Sequence, residues 1–265
     1  SISDPEYLED FSSILIKMDK TDQSQMKLLA QFFLMLHSNA LLGLAPMINH
    51  IRSLSVRKKF MKILVAIAAR NLDQFEKLLA SPDENIVQWL VDITGHIPGE
   101  KPVQILWGMT TNTSAKVRRQ AMKCILTRDS TSMATLFPKI EDPSKEVRQV
   151  IFDDLNRQKN EMGEKLLLEY LQKGEFALTD QDHILACYRT LGRCGSSRAI
   201  PFLEQVLFKS PWQRIPHKSL HRQGAVAALL ALKTKETIKI LSKASRSFSP
   251  AVRMAYKRGR EETQC

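Results

Sequence analysis

The sequence predicts an all-α chain built from repeated pairs of helices, and three observations support this fold class. An apolar residue recurs at intervals of about thirty positions, followed by apolar residues at offsets +4, +7 and +8, which share one helix face. Turn-forming pairs such as Ser81-Pro82 and Asp142-Pro143 precede these positions. No segment alternates apolar and polar residues with β-branched enrichment, so the sequence predicts no sheet.

The first apolar residue of each repeat is here called the anchor. The clearest copy begins at Val117 and continues with Ala121, Cys124 and Ile125. Each interval between anchors has room for two helices and two turns. The repeats therefore predict a right-handed α-α superhelix of seven to eight helix pairs over residues 24–265. The anchors are Met26, Val56, Ile86, Val117, Val147, His183, Gly224 and Val252.

Several segments resemble a known repeat family. The stretch Leu-Gly-Arg-Cys-Gly-Ser-Ser-Arg-Ala-Ile-Pro-Phe-Leu at 191–203 is similar to the HEAT-like repeat of the phycobilin-lyase type. Residues 143–148 match the start of its second helix, and Pro46, Pro138 and Pro201 lie where that family often has a proline in its first helix. The resemblance covers roughly residues 24–258. It implies a HEAT/ARM-like solenoid whose second helices line the concave side, and it is nearly silent on function because such repeats occur in unrelated scaffolds.

Two segments depart from the repeat. Residues 1–23 predict one N-terminal capping helix, with Asp4 as its cap and Pro5 in its first turn. A loop insertion near residues 209–219 contains Trp212 and breaks the period. Because the chain begins at Ser1 without Met, we expect a processed chain or a fragment of a longer protein.

Basic residues are concentrated at the C-terminal end. The last 57 residues, 209–265, hold thirteen Lys and Arg against three Glu, whereas the first 208 hold 26 basic and 25 acidic residues. A strongly basic C-terminal end attracts phosphate, anionic lipid or an acidic protein face. An equally good interpretation is that these Lys and Arg residues only form a solvated surface. The candidate anion-binding residues are Trp212, Arg214, Lys218, Arg222, Lys233, Lys235, Lys239 and Lys243.

The offsets opposite the anchor describe the groove that the resemblance implies. Offsets +2 and +6 carry mixed charges, with Asp92 among several cations. Offset +5 is apolar in six of the eight repeats, which predicts either a docking line for an amphipathic helix or packing between neighbouring repeats, with packing favoured. The candidate partner-binding residues of this groove are Lys58, Met61, Lys62, Arg119, Met122, Lys123, Phe152, Tyr188 and Arg189.

An arginine follows the anchor in four repeats, at Arg57, Arg118, Arg148 and Arg253. These residues form either a ligand-binding ladder or a structural contact. We expect the structural role, in which each guanidinium binds carbonyl or acidic groups of the turn just before its helix.

No catalytic motif is present in the sequence. It contains no G-x-S-x-G, no P-loop and no G-x-G-x-x-G, and its histidines lack nearby ligand partners. Residues 179–183 hold metal-type side chains but coincide with a helix start, which favours a cap. HEAT-like DNA glycosylases have an aromatic cleft around a catalytic Asp. Here only Trp89 and Asp92 approach that pattern, so glycosylase or lyase activity is disfavoured and no cofactor is expected.

The four cysteines, Cys124, Cys187, Cys194 and Cys265, have neither disulfide-framework nor zinc-site spacing. Cys124 and Cys187 fall on predicted buried helix positions, which favours reduced thiols in the cytoplasm. The N-terminus has no basic stretch followed by an apolar core, so no signal peptide is predicted.

The leading hypothesis is a non-enzymatic cytoplasmic scaffold that binds a protein partner along its groove, within a larger bacterial signalling or assembly protein. The alternative is a nucleic-acid or anionic-membrane binding module that uses the basic C-terminal region.

Overall fold

The structure is a computed structural model that describes residues 13–15, 17, 23–157, 159–173, 181–208 and 218–261. Over these residues the chain is helical with connecting turns and contains no strand, which confirms the predicted all-α class. None of the helices in these ranges is long and apolar enough to span a bilayer. The chain divides into two compact units, Ser1–Ser130 and Thr131–Cys265.

The first unit contains helix pairs joined by short turns. A 3-10 turn, Ser38–Ala40, leads directly into the helix Leu41–Met47, and Pro46 lies inside that helix. Its α-helices are α1 (Gln23–Phe33), α2 (Leu41–Met47), α3 (Leu54–Arg70), α4 (Leu72–Leu78), α5 (Glu84–His96), α6 (Glu100–Met109) and α7 (Ala115–Arg128).

The second unit repeats the arrangement. The first helix of the Val147 repeat is divided: a short α-helix continues as a 3-10 segment, Phe137–Glu141, which contains Pro138. Pro138 has no backbone N–H, so the α-helical bond from residue 138 to the carbonyl of residue 134 is missing where the 3-10 segment begins. The α-helices are α8 (Met133–Leu136), α9 (Lys145–Leu155), α10 (Glu161–Lys173), α11 (Gln181–Cys194), α12 (Ile200–Phe208), α13 (Lys218–Leu232), α14 (Lys235–Ser245) and α15 (Pro250–Glu261).

The predicted core positions are buried in most repeats. Val56, Val117, Val147 and Val252 are each at most 3% exposed, and the +4 and +8 residues of the first three are buried with them. Ile86 is half-buried, as are Ala231 and Leu232 in the weaker Gly224 repeat. The helical period therefore identifies the core face, as amphipathic helices require.

Second helices pack directly on the next second helix within each unit, with α3, α5 and α7 in the first and α9, α11, α13 and α15 in the second. One close approach is between α11 and α13. A Cβ on Gly192 would lie 2.8 Å from Ala228 Cα, and one on Gly224 would overlap the Tyr188 ring. Because Tyr188 and Gly192 face Gly224 and Ala228 in the same order, these two helices run parallel.

The arginine after the anchor makes the same contact in four repeats, which confirms the structural interpretation. Each guanidinium donates to the carbonyl six residues earlier in the chain, in the turn that precedes its helix. The distances are 2.8 Å from Arg57 Nη2 to Ile51 O, 2.9 Å from Arg118 Nη1 to Asn112 O, 3.0 Å from Arg148 Nη1 to Asp142 O and 2.6 Å from Arg253 Nη1 to Ser247 O.

Two predictions fall largely outside the described residues. Of the predicted capping helix 1–23, the structure describes residues 13–15, 17 and 23, where Leu15 is fully buried and Ile14 is exposed. The insertion near 209–219 is described only from Lys218 onward, where α13 begins.

The packing predicts opposite effects for two helical glycines. Gly192→Ala introduces a methyl group into the contact between α11 and α13, and we expect it to lower the free energy of unfolding by about 1–3 kcal/mol. Gly108, in α6, has no atom within 4 Å of its added Cβ. Gly108→Ala should therefore raise stability by about 0.5–1 kcal/mol. Urea unfolding of both variants measures these changes, and a neutral Gly192→Ala would contradict the close packing.

Candidate functional site

The candidate site lies in the first unit, where α3, α5 and α7 are neighbours. Local sequence fixes the starts of the helices. Asp83 caps α5, its Oδ1 accepting from Asn85 N at 2.8 Å, and Asn112 Oδ1 accepts from Ser114 N at 2.9 Å just before α7. Short polar side chains at these positions bond backbone N–H groups that the first helical turn leaves without partners.

One side of α7 is bonded to α5 along its length. Lys116 Nζ lies 2.7 Å from Glu84 Oε1, Gln120 Nε2 donates to Asp92 Oδ1 at 2.7 Å, and Arg128 Nη1 donates to Ile97 O at 2.6 Å. Residues four apart share a helix face, so this side is committed to α5. Arg119 and Lys123 lie on a different side of α7 and are exposed to solvent.

A cavity of about 300 Å³ opens between the α2–α3 region and α5. Its walls combine an aromatic ring, aliphatic groups, two cations and one carboxylate. Its volume lies at the small end of ligand sites and suits one large side chain. The lining residues are Ile48, Asn49, Arg57, Lys58, Met61, Trp89, Asp92 and His96.

Asp92 is the acidic group of this cavity. Burial raises the pKa of its carboxyl above the ordinary aspartate value, while the nearby His96 and the hydrogen bond from Gln120 partly lower it. A carboxylate that is partly removed from water and opens onto a cavity is the kind of group found at binding sites. Asp92 is thus available to accept hydrogen bonds from a bound group.

The geometry of this cavity gives little support to the glycosylase alternative. Among the described residues that line the cavity, Trp89 is the single indole or phenyl ring, and it lies one helical turn from Asp92. A flipped base is held between stacking side chains, so one aromatic residue supplies only half of such a site.

The predicted groove residues separate into three groups by exposure. Lys58, Lys62, Arg119 and Lys123 are exposed, and Met61 and Arg189 are half-buried. Met122 and Tyr188 are fully buried and Phe152 is 4% exposed, so a partner cannot contact these three side chains.

The buried +5 residues pack between helices. Tyr188 stacks on Phe202 with a centroid distance of 6.5 Å, and its hydroxyl oxygen lies 3.1 Å from His221 Nδ1 on α13. Val91 and Leu229 are also fully buried. These positions therefore fit the packing interpretation of the +5 line, and Met61 is the member that reaches a cavity.

A second polar cluster lies inside the second unit. Tyr170 Oη lies 2.9 Å from His183 Nε2 and donates to Glu141 Oε1 at 3.1 Å, and Cys187 Sγ lies 3.8 Å from the same His183 nitrogen. The Cys–His pair has the composition of a nucleophile and its base. Burial, however, strongly raises the pKa of the Cys187 thiol, so the reactive thiolate is disfavoured.

Burial also raises the pKa of the Cys124 and Cys194 thiols, each to about 12. Cys124, Cys187 and Cys194 are free and buried. Among the described residues, no group of three or more His, Cys, Asp or Glu side chains is placed to hold a metal ion. Of the candidate helix cap at 179–183, residues 179 and 180 lie outside the described residues, and Asp182 pairs with Lys145 at 3.1 Å.

The candidate anion-binding residues are only partly described. Trp212 and Arg214 lie outside the described residues, as does the side chain of Lys218. Lys233, Lys235 and Lys239 are exposed, and Arg222 is half-buried. Lys243 lies 4.7 Å above the Phe208 ring and 3.7 Å from Glu204, so part of its charge is used within the fold.

Comparisons with known proteins leave the function open. No protein-family model matches the sequence, and no curated protein is significantly similar to it. Two similar solved structures are engineered proteins from the Northeast Structural Genomics Consortium. The first is 16% identical, covering 73% of this chain and 96% of its own, with a TM-score of 0.32. The second is 15% identical, covering 86% and 74%, with a TM-score of 0.31.

Asp92 and Asp153 form a matched pair for a pH test, because both occupy offset +6 and accept from a glutamine Nε2 at 2.7 Å. Asp153 is exposed, whereas Asp92 is half-buried. A raised folded-state pKa means that ionising Asp92 opposes folding, and this cost grows as the pH rises above the ordinary aspartate pKa. Asp92→Asn should therefore raise the Tm at pH 7, with a gain that shrinks toward pH 4.

The same Tm series on Asp153→Asn should show no such pH-dependent gain. If Asp92→Asn lowers the Tm at pH 7, or if both variants behave alike, the carboxyl of Asp92 is not held in an unfavourable environment.

Proposed function

We propose that this chain is a non-enzymatic HEAT-like scaffold that binds an acidic segment of a protein partner across α3, α5 and α7. The observation that carries the proposal is the cavity beside Trp89, flanked by exposed cations on the neighbouring helices. A large partner side chain would enter the cavity, and partner carboxylates would pair with Lys58, Lys62, Arg119 and Lys123.

The HEAT-like part of the proposal, a right-handed superhelix of seven to eight helix pairs, is supported by recurring contacts. Four repeats place an arginine on the carbonyl six residues earlier, and successive second helices contact each other within each unit. Repeats that contact mainly their neighbours are the defining feature of solenoid proteins.

Charge and exposure favour a protein partner with acidic side chains. The four exposed cations project from α3 and α7, and Asp92 between them is half-buried and bonded to Gln120. Because the +5 residues Met122, Phe152 and Tyr188 are buried, recognition rests on the cations and on the cavity with Met61 and Trp89. Interfaces commonly combine such a buried aromatic anchor point with a charged rim.

The proposal places the protein in the cytoplasm, where buried Cys124, Cys187 and Cys194 stay reduced. It assigns no reaction to the protein, since the Cys187–His183 pair lacks an accessible thiolate.

A nucleic-acid ligand at the basic C-terminal region is the alternative function. It is supported by the exposed side chains of Lys233, Lys235 and Lys239. Binding to phosphates would weaken steeply with salt, because neutralising them releases counterions.

The test is affinity capture from a lysate of the source organism, with the whole chain as bait and quantification of each captured protein. We expect Trp89→Ala to weaken partner binding by about 2 kcal/mol, a factor of about 30. Lys58→Glu with Lys62→Glu should weaken it at least about tenfold, because the reversed charges repel an acidic segment.

Lys77→Glu is the matched control, because Lys77 is an exposed cation on α4 of the same unit and does not line the cavity. Circular dichroism and the Tm establish that each variant is folded. A partner retained by both site variants, or lost equally in the control, would overturn the proposal.

A further inference from the structure

The last helix pair exposes three large apolar side chains. Phe248, in the turn between α14 and α15, is 100% exposed, Ile238 on α14 is 62% exposed and Met254 on α15 is 53% exposed. Exposed apolar residues are common singly, but three on one short helix pair call for a physical account. The exposed residues of 235–261 are here called the α14–α15 surface.

Two of these side chains point away from the preceding helices. Lys243 packs over Phe208 of α12, and Ile238 lies five residues earlier on α14, about 140° around the helix from it. Gly259 faces Val226 of α13, and Met254 lies five residues earlier on α15, again about 140° around the helix. Ile238 and Met254 are therefore exposed on parts of α14 and α15 that these contacts with the preceding repeat do not cover.

Hydrogen bonds fix the turn that carries Phe248. Arg253 Nη1 donates to Ser247 O at 2.6 Å and to Phe248 O at 3.2 Å, and Ser249 N donates to Ser247 Oγ at 3.2 Å. The backbone of the turn is thus held by three bonds while the Phe248 ring projects into water. An ordered turn with an exposed aromatic ring is suited to inserting that ring into an apolar environment.

Cations surround these side chains. Residues 235–261 contain eight Lys and Arg against Glu236 and Glu261. Within the part of the chain that the structure describes, Lys239 and Lys257 are exposed and take part in no ion pair. The surface therefore combines a strong positive charge with apolar side chains.

We infer that the α14–α15 surface binds anionic lipid bilayers, with Phe248, Ile238 and Met254 entering the headgroup region and the cations contacting lipid phosphates and carboxylates. Basic protein surfaces with projecting apolar side chains bind anionic membranes through two contributions, the burial of apolar area in the headgroup region and the attraction to charged lipids. A bilayer fits better than nucleic acid because Ile238 and Met254 are aliphatic and do not stack on bases as aromatic side chains do. This inference uses a different surface from the proposed function and does not depend on it.

Sedimentation of the whole chain with vesicles tests the inference. The vesicles are phosphatidylcholine alone or with about 30% phosphatidylserine, at about 50 to 300 mM salt. We expect binding only to the anionic vesicles, weakening as salt rises. Phe248→Ala should lower the partition coefficient about tenfold. Lys239→Gln with Lys257→Gln should lower it about 25-fold at low salt, or about fivefold for each charge removed.

Matched controls come from the first unit. Leu54 is 70% exposed, so Leu54→Ala removes a comparably exposed apolar group, and Lys59→Gln with Lys77→Gln removes two exposed charges. These controls should leave partitioning unchanged. In Phe248→Trp, vesicle binding should shift the tryptophan emission to shorter wavelength relative to the parent chain, as expected when the indole leaves water.

Two results would overturn the inference. One is no sedimentation with anionic vesicles at the lowest salt while every variant is folded by circular dichroism. The other is binding of short oligonucleotides, measured by fluorescence polarisation, that is lost in the Lys239/Lys257 variant while vesicle binding is insensitive to Phe248→Ala. That second outcome would assign the surface to nucleic acid.

Discussion

The hydrogen bond between a guanidinium and the carbonyl six residues before it is the contact that holds four of the second helices to the turns before them. It joins the end of each turn to the first turn of the following helix, and it recurs at Arg57, Arg118, Arg148 and Arg253. An arginine near a helix N-terminus is unfavourable toward the helix dipole. Here the guanidinium donates to carbonyl oxygens of the preceding turn. These bonds satisfy acceptors that the turn would otherwise expose to water or leave buried.

At α3, α7, α9 and α15 that contact bonds the first turn of the helix to the turn before it, whereas Asp83 caps the start of α5. On α7 one side bonds to α5 through Lys116, Gln120 and Arg128, so Arg119 and Lys123 are directed to solvent. In α11, which has no arginine after its anchor, the +5 residue Tyr188 also lies between helices, against Gly224 of α13.

The fold class and most of the core follow from the sequence, because the period of the apolar residues is a local property of each helix. Val117 and Val147 are buried with the residues one and two turns later, as the pattern predicts. Whether Met122 and Phe152 are buried or face the groove is harder to predict from the sequence. Offset +5 lies about 140° around the helix from the anchor, outside the predicted core face, and only the distance to the next helix decides whether it is covered.

The cavity beside Trp89 and the exposure of Phe248 depend on three-dimensional neighbours that sequence spacing does not give. Trp89 and Asp92 were visible as residues on adjacent turns, but the space beside them arises from Ile48, Asn49 and Met61 of other segments. Phe248 would be assigned to a buried cluster from its apolarity alone. Its exposure follows from a turn held by Arg253, with no described helix packed over the ring.

The most direct test of the account is the free energy of unfolding of Arg148→Met, which keeps an unbranched side chain and removes the donors. Arg148 is 4% exposed and its Nη1 donates to Asp142 O and Pro143 O, so we expect a loss of about 2–4 kcal/mol. Arg253→Met removes the equivalent bonds at an exposed site and should cost less than about 1 kcal/mol. An unchanged stability in Arg148→Met would contradict the structural role of this arginine.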